Sequence, residues 1–179
     1  MRYFIFLFLL FFASLSIADE AVWLLVDTQK KVILVKRGEL TVASFDGISI
    51  GRKGAMYKQK SGDDITPLGN YKIAYINDQS QFRTFFGLDY PSVYDAELAI
   101  LDKRISVPQF QEIKQAHADN RLPPQNTALG GYIGIHGIGR GNQSLHSVFD
   151  WTQGCVALSN RQIDQLAKWV YKGMRVQIK

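Results

Sequence analysis

A single cysteine occurs in the sequence, Cys155, within Trp151-Thr152-Gln153-Gly154-Cys155-Val156-Ala157-Leu158. Nineteen residues before it, His136 lies in Ile133-Gly134-Ile135-His136-Gly137. An unperturbed thiol titrates near ~8.5, so at neutral pH it needs a base or a cationic neighbour to become a useful nucleophile. Imidazole is the side chain best suited to take that proton and return it to a leaving amine. Gly154 lets the backbone approach closely beside the thiol. Its N–H and that of Cys155 are candidate donors to a developing oxyanion, where one donor is worth about 3 kcal/mol. Two short segments thus supply nucleophile, base and oxyanion donors for acyl transfer. Taken singly, each has a plain structural reading: a cysteine in a glycine-flanked strand as a small buried residue, and His-Gly as a turn.

Further residues could serve a substrate. Arg140 and Asn142, in Gly139-Arg140-Gly141-Asn142, are candidates to meet a carboxylate, since arginine offers a planar fork of donors. The alternative is a glycine-rich loop with solvated polar side chains. Trp151 reads either as the wall of a peptide groove or as core, and Thr152 beside it is placed with the substrate-binding set. Asn160 follows Ser159 and reads as part of a helix start. His136, His146 and Cys155 are ligand types for zinc, but no compact ligand spacing joins them. His117 falls in a polar helical stretch and is expected to be solvated. No metal and no cofactor is expected.

The elements that must position these residues belong to one domain of ordinary globular composition, 46% hydrophobic and 21% charged over 179 residues. Its +5 net charge comes from scattered basic residues, without the concentrated stripe of a nucleic-acid binder. Arg2, the apolar run from Tyr3 to Ala13 and the small residues Ser16 and Ala18 describe a secretory signal peptide, residues 1–18, cleaved after Ala18. That run is too short to span hydrocarbon, which takes about 20 residues. A mature domain over 19–179, without a stable membrane span and outside the cytoplasm, is expected. A lone thiol in an oxidising compartment then needs a partner or a chemical role.

Along the mature chain, Val22–Asp27 and Lys31–Lys36 flank Thr28-Gln29-Lys30 as a hairpin. Thr41–Ile50 reads as a third strand and Asn70–Ile76 as a fourth, with a turn-rich loop from Ser61 to Gly69 between them. Helical spacing appears from Ser92 to about Arg104 and from Pro108 to Asn120. A loop over 121–130 leads to a short strand, Tyr132–Ile135, that delivers His136-Gly137. Ser159 with Gln162 three residues on is a capping box, and Ile163, Leu166, Ala167 and Val170 share one helical face. Gly173 ends that helix before a last strand, Met174–Ile178. The expected fold class is α+β and mainly β: a twisted sheet or sandwich, a helical insertion in the middle and a C-terminal helix–strand unit.

Gly134-x-His136-Gly137, the spacing to Gly154-Cys155, and Thr66-Pro67-Leu68-Gly69-Asn70-Tyr71 together resemble the YkuD-type L,D-transpeptidase catalytic domain, from about Val22 to Ile178. The resemblance implies attack on peptidoglycan stem peptides at the bond between the L-centre of diaminopimelate and a terminal D-amino acid. A thioester on Cys155 follows, with transfer to an amine. It implies Cys155 as nucleophile, His136 as base, the Gly137 carbonyl as orienter of the imidazole, and amides near Gly154 and Cys155 as the oxyanion hole. The common family segment is Ser-His-Gly-Cys, an apolar residue and then Arg or Asn. Here Gln153 replaces the second histidine and Ala157 the polar residue. Thr-x-Gly-Cys-Val-Ala-Leu-Ser-Asn, with Gly87-Leu88-Asp89-Tyr90-Pro91 and Asp95 upstream, resembles the YafK-like subgroup. That likeness implies hydrolysis of the same bond, as L,D-carboxypeptidase or as an endopeptidase releasing wall-linked lipoprotein, as an alternative. A wall-binding module without activity is the third reading.

Overall fold

The structure, a computed structural model, describes residues 20–179. The expected signal peptide and its cleavage point lie outside the described residues. Ten strands and four α-helices are found among those residues. Eight strands form one mixed sheet, and two short ones form a small ladder beside it.

Strands β1 (Val22–Asp27) and β2 (Val32–Arg37) form the expected hairpin, with Leu25 opposite Leu34. Strand β3 (Leu40–Asp46) ends before the expected Ile50. Gly47 adopts a positive φ of 72°, and its N–H and that of Ile48 both donate to the Lys31 carbonyl. The chain turns there, and Ser49 pairs instead with Ala157.

The loop after β3 carries β4 (Ala55–Met56), paired in parallel with β5 (Thr66–Pro67). Strand β6 (Gly69–Ser80) outruns the expected Ile76 and folds back on β7 (Arg83–Leu88), a strand the sequence reading lacks. The polar run from Asn77 to Gln81 hides it, because the far end of this hairpin is exposed and shows no apolar alternation.

Helices α1 (Val93–Leu101) and α2 (Val107–Ala118) form the expected insertion. Each opens on a capping box, Ser92 with Asp95 and Ser106 with Gln109. They bury Ala96, Ala99, Ile113 and Ala116. Strand β8 (Gly134–Gly137) starts two residues later than expected, so His136 lies within the strand. A single turn, α3 (Gln143–His146), precedes β9 (Val156–Leu158). Helix α4 (Asn160–Leu166) has the expected Ser159/Gln162 box but stops short of Val170, where Trp169 N–H bonds the Leu166 carbonyl in a tighter turn. Strand β10 (Arg175–Ile178) inserts in parallel beside β1 and antiparallel to β6.

The sheet order is β3-β2-β1-β10-β6-β7-β8-β9. Registers at the far end divide its two faces. Phe86, Ile135 and Val156 stand opposite one another across β7, β8 and β9 and face a fully buried core that includes Ile163 of α4. Alternation along a strand then sends Phe85, His136 and Ala157 to the other face.

Candidate active site

Register and alternation bring Cys155 and His136 together. In the parallel pair β8–β9, His136 stands opposite Ala157, so Cys155, two residues earlier, continues the register beside Gly134. Residues two apart along a strand share a face. The thiol and the imidazole therefore project from adjacent chains to the same side of the sheet, and both line one cleft of ≈ 790 Å³.

His136 is held on all sides and is only 2% exposed. Its Nδ1 lies 2.6 Å from the Gly137 carbonyl, as the family resemblance implies. A carbonyl only accepts, so Nδ1 carries the proton and Nε2 is left with the lone pair of a base. Phe85, its cross-strand partner, stacks on the ring at 5.8 Å with planes 9° apart. Phe82 packs at 4.4 Å and the Trp151 ring meets it edge-on at 5.9 Å. Tyr75 stacks on Phe85 in turn, at 5.9 Å. Gly134 makes this stack possible, since a Cβ there would stand 2.5 Å from Phe85 Cζ and 2.6 Å from the Phe86 carbonyl. Burial lowers the His136 pKa below its ordinary 6.5, outweighing the Gly137 hydrogen bond that raises it.

Cys155 is half-buried, with Sγ 3.4 Å from the Tyr132 carbonyl. Desolvation pushes its thiol up to about 11, against the opposing pulls of the Gly134 amide and the Lys58 charge. At neutral pH the resting pair is thus thiol and neutral imidazole.

Thr152 shapes the nucleophile loop. It is 3% exposed; its hydroxyl donates to the Cys155 carbonyl at 2.6 Å and accepts the Gly154 N–H at 3.2 Å. Thr66 of the Thr-Pro-x-Gly-x-Tyr stretch reaches the same carbonyl at 3.5 Å and accepts the Gly51 N–H at 2.8 Å. Gly154 has φ +136°, and a Cβ on it would stand 2.8 Å from the Ile65 carbonyl. Two sequence expectations change here. The Gly154 N–H is engaged by Thr152, which leaves the Cys155 N–H as the candidate oxyanion donor of this loop. Thr152 lines the cleft, but its hydroxyl is committed to backbone groups on either side of the nucleophile.

The remaining candidates separate. Trp151 borders the cleft and also a second hollow over Phe82, Gly139 and Arg140; its indole N–H donates to His146 Nδ1 at 3.3 Å. Arg140 is exposed and lines only that second hollow. Asn142 is not in the cleft: its side chain caps α3, accepting the Ser144 and Leu145 N–H groups at 2.8 and 3.2 Å. An Asn before a polar turn is a capping signal that the sequence reading passed over. Asn160 clamps Gly139, accepting its N–H at 2.9 Å and donating to its carbonyl at 2.7 Å. His117, expected to be solvated, is half-buried and bonds the Pro91 carbonyl through Nε2 at 2.8 Å. Gln153 is exposed at the cleft, whereas Ala157 is fully buried, its backbone bridged to that of Ser49. Among the described residues no group of three or more His, Cys, Asp or Glu is placed to hold a metal ion. The sequence reading missed Phe82, Phe85, Tyr132 and Lys58, all lining the cleft.

A mixed sheet that carries a thiol and a tautomer-fixed imidazole into one cleft defines a cysteine–histidine catalytic-domain architecture. The chain belongs to the YkuD family of L,D-transpeptidase catalytic domains, which matches residues 21–178. This family acts on peptidoglycan stem peptides. Among solved structures, Pgp2, the helical cell shape determining protein of Campylobacter jejuni, is similar with a TM-score of 0.61 at 22% identity, over 90% of this chain and 48% of Pgp2. Bd1075 of Bdellovibrio bacteriovorus is similar with a TM-score of 0.57 at 19% identity, over 93% of this chain and 50% of that one. The catalytic domain of the Enterococcus faecium L,D-transpeptidase is similar with a TM-score of 0.51 at 12% identity, over 89% of this chain and 98% of that one. The chain thus spans about half the length of Pgp2 and Bd1075. No curated protein matches it.

Proposed function

We propose that this protein is a cysteine acyl-transferase of the cell envelope that remodels peptidoglycan by L,D-transpeptidation. The observation that carries the reading is the shared face of Cys155 and His136, with Nδ1–H committed to Gly137 and Nε2 left as base. Cys155 Sγ attacks the carbonyl of the L-centre in the stem peptide while His136 Nε2 takes the thiol proton. The Cys155 N–H receives the oxyanion. His136 then returns the proton to the departing amine of the terminal D-amino acid, leaving a thioester. An incoming amine gives its proton to His136, attacks the thioester and forms the cross-link as Cys155 regains a proton. Water in the same role would give hydrolysis.

Secretion is part of the proposal, motivated by the N-terminal segment, residues 1–18. No helix among the described residues is long and apolar enough to cross a membrane. A role in cell shape is motivated by the likeness to Pgp2. Wall-linked lipoprotein is the partner that the hydrolytic alternative would bring.

Purified protein incubated with tetrapeptide-bearing muropeptides tests the reading. Cross-linked dimers are expected, and Cys155→Ser is expected to make none. Tripeptide products without dimers would replace transfer by hydrolysis. Absence of both products would overturn the enzyme assignment in favour of a binding module.

A further inference from the structure

The loop over 57–65 carries a cation to the nucleophile that the chemistry above leaves unused. Lys58 is 5% exposed, yet it lines the same cleft as Cys155. Its ammonium is paired with Asp63 and reaches the Ile65 carbonyl at 3.4 Å. That carbonyl is the group packed against Gly154, so the ammonium stands one peptide unit behind the residue preceding the nucleophile.

Asp63 does not spend its charge on Lys58 alone. Its carboxylate also accepts the N–H groups of Gln59 at 2.8 Å, Lys60 at 3.1 Å and Ile65 at 3.1 Å. Burial raises its pKa, but the bonds from Lys58 and these three amides prevail and hold it below its ordinary value. The three amides fix the carboxylate, and with it the ammonium, in one place. An ammonium has three donors. Among the described residues Asp63 takes one and the Ile65 carbonyl a long second. Arg52, the other cation of the cleft, has both arms of Asp64 for itself at 3.0 Å and stays exposed.

We propose that Lys58 is a specificity-determining residue whose remaining donor receives the α-carboxylate of the terminal D-amino acid, so that the cleft selects peptide ends over internal bonds. The proposal rests on the acyl-transfer reading of Cys155. In that substrate the carboxylate carbon is two bonds from the scissile nitrogen, and Lys58 lines the cleft that holds Cys155. Asp63 and its three amides hold the ammonium in place before substrate arrives.

The test compares two synthetic tetrapeptide stems that differ only in a free terminal carboxylate or its carboxamide. The wild-type protein is expected to favour the carboxylate in kcat/KM by about ten- to a hundredfold, the range of one charge-assisted hydrogen bond. Lys58→Met is expected to bring the ratio to about one, chiefly through KM, and Lys58→Arg to keep most of it. Removing half of a buried pair can unfold the loop, so Lys58→Met with Asp63→Asn is measured alongside. It leaves no unpaired charge, keeps an acceptor for the Gln59 and Lys60 amides through the Asn oxygen, and is expected to lose the preference too. A Lys58 that only supports the loop would slow both substrates alike and leave the ratio intact. An intact ratio in the folded Lys58 variants, or no preference in the wild type, overturns the proposal. Failure of the wild type to turn over either substrate overturns the acyl-transfer reading instead.

Discussion

Replacing His136 by Gln separates two ways in which an imidazole can activate a thiol. If the resting pair were an ion pair, the imidazolium would hold Cys155 as thiolate, and removing the ring would raise the thiol's pKa. If the resting pair is neutral, the ring acts only as attack begins, and removing it leaves the resting thiol as it was. The structure argues for the second case. Burial places Cys155 at about 11 and pushes His136 below 6.5, each favouring its neutral form. At pH 8 a thiol at about 11 is roughly one part in a thousand ionised, a few hundredfold less than an unperturbed thiol near ~8.5. Iodoacetamide alkylation followed by intact mass from pH 6 to 10 reads this directly. In the wild type the rate is expected to climb about tenfold per pH unit without a plateau near neutrality. His136→Gln is expected to trace the same curve within about threefold, while its turnover of muropeptide falls by about 10²–10⁴. A wild-type plateau near pH 6–7 that vanishes in His136→Gln would refute the neutral pair.

Three further outcomes follow from the same geometry. Thr152→Val leaves the Gly154 N–H without its buried partner and the Cys155 carbonyl with only the long bond from Thr66, so urea denaturation is expected to show a loss of about 1–3 kcal/mol, with Thr152→Ser retaining most of the stability; an unmoved midpoint would disprove the role assigned to that hydroxyl. Gly134→Ala forces the Phe85 ring from its place over His136 at a cost of about 1–3 kcal/mol, and a crystal structure of that variant with Phe85 undisturbed would contradict the account. His136 and His146 both titrate below 6.5 in the fold because burial disfavours their charged forms. The unfolded chain therefore binds more protons below that value, so stability is full above about pH 6.5 and falls as pH drops toward the lowered folded-state values. Thermal melts from pH 8 to 5 should show this decline, reduced in His136→Gln; identical slopes for the two proteins would exclude His136 as a cause.

Much of the frame was legible because its signals are local. Apolar runs on either side of Thr28-Gln29-Lys30 mark β1 and β2, and Ser159 with Gln162 marks the start of α4 within four residues of chain. Strand β7 was not legible, because its partner segment turns polar where the hairpin leaves the core. The outcome for Asn142 is similar: its pattern fits a substrate loop or a helix cap, and the choice depends on whether the following turn closes. Lys58 gave no signal at all, since a lysine in a polar loop is ordinarily solvated and only the fold buries this one.

Residue types alone determined which chemistry is available: one thiol, an imidazole followed by glycine, and a glycine before the nucleophile. Whether these meet was decided by strand pairing between segments distant along the chain. The parallel register of β8 and β9 places Cys155 and His136 on one face, and a shift of one residue would turn one of them away. The charge state of His136 was decided there too, because its burial among Phe82, Phe85 and Trp151 belongs to the packed molecule and to no segment taken alone.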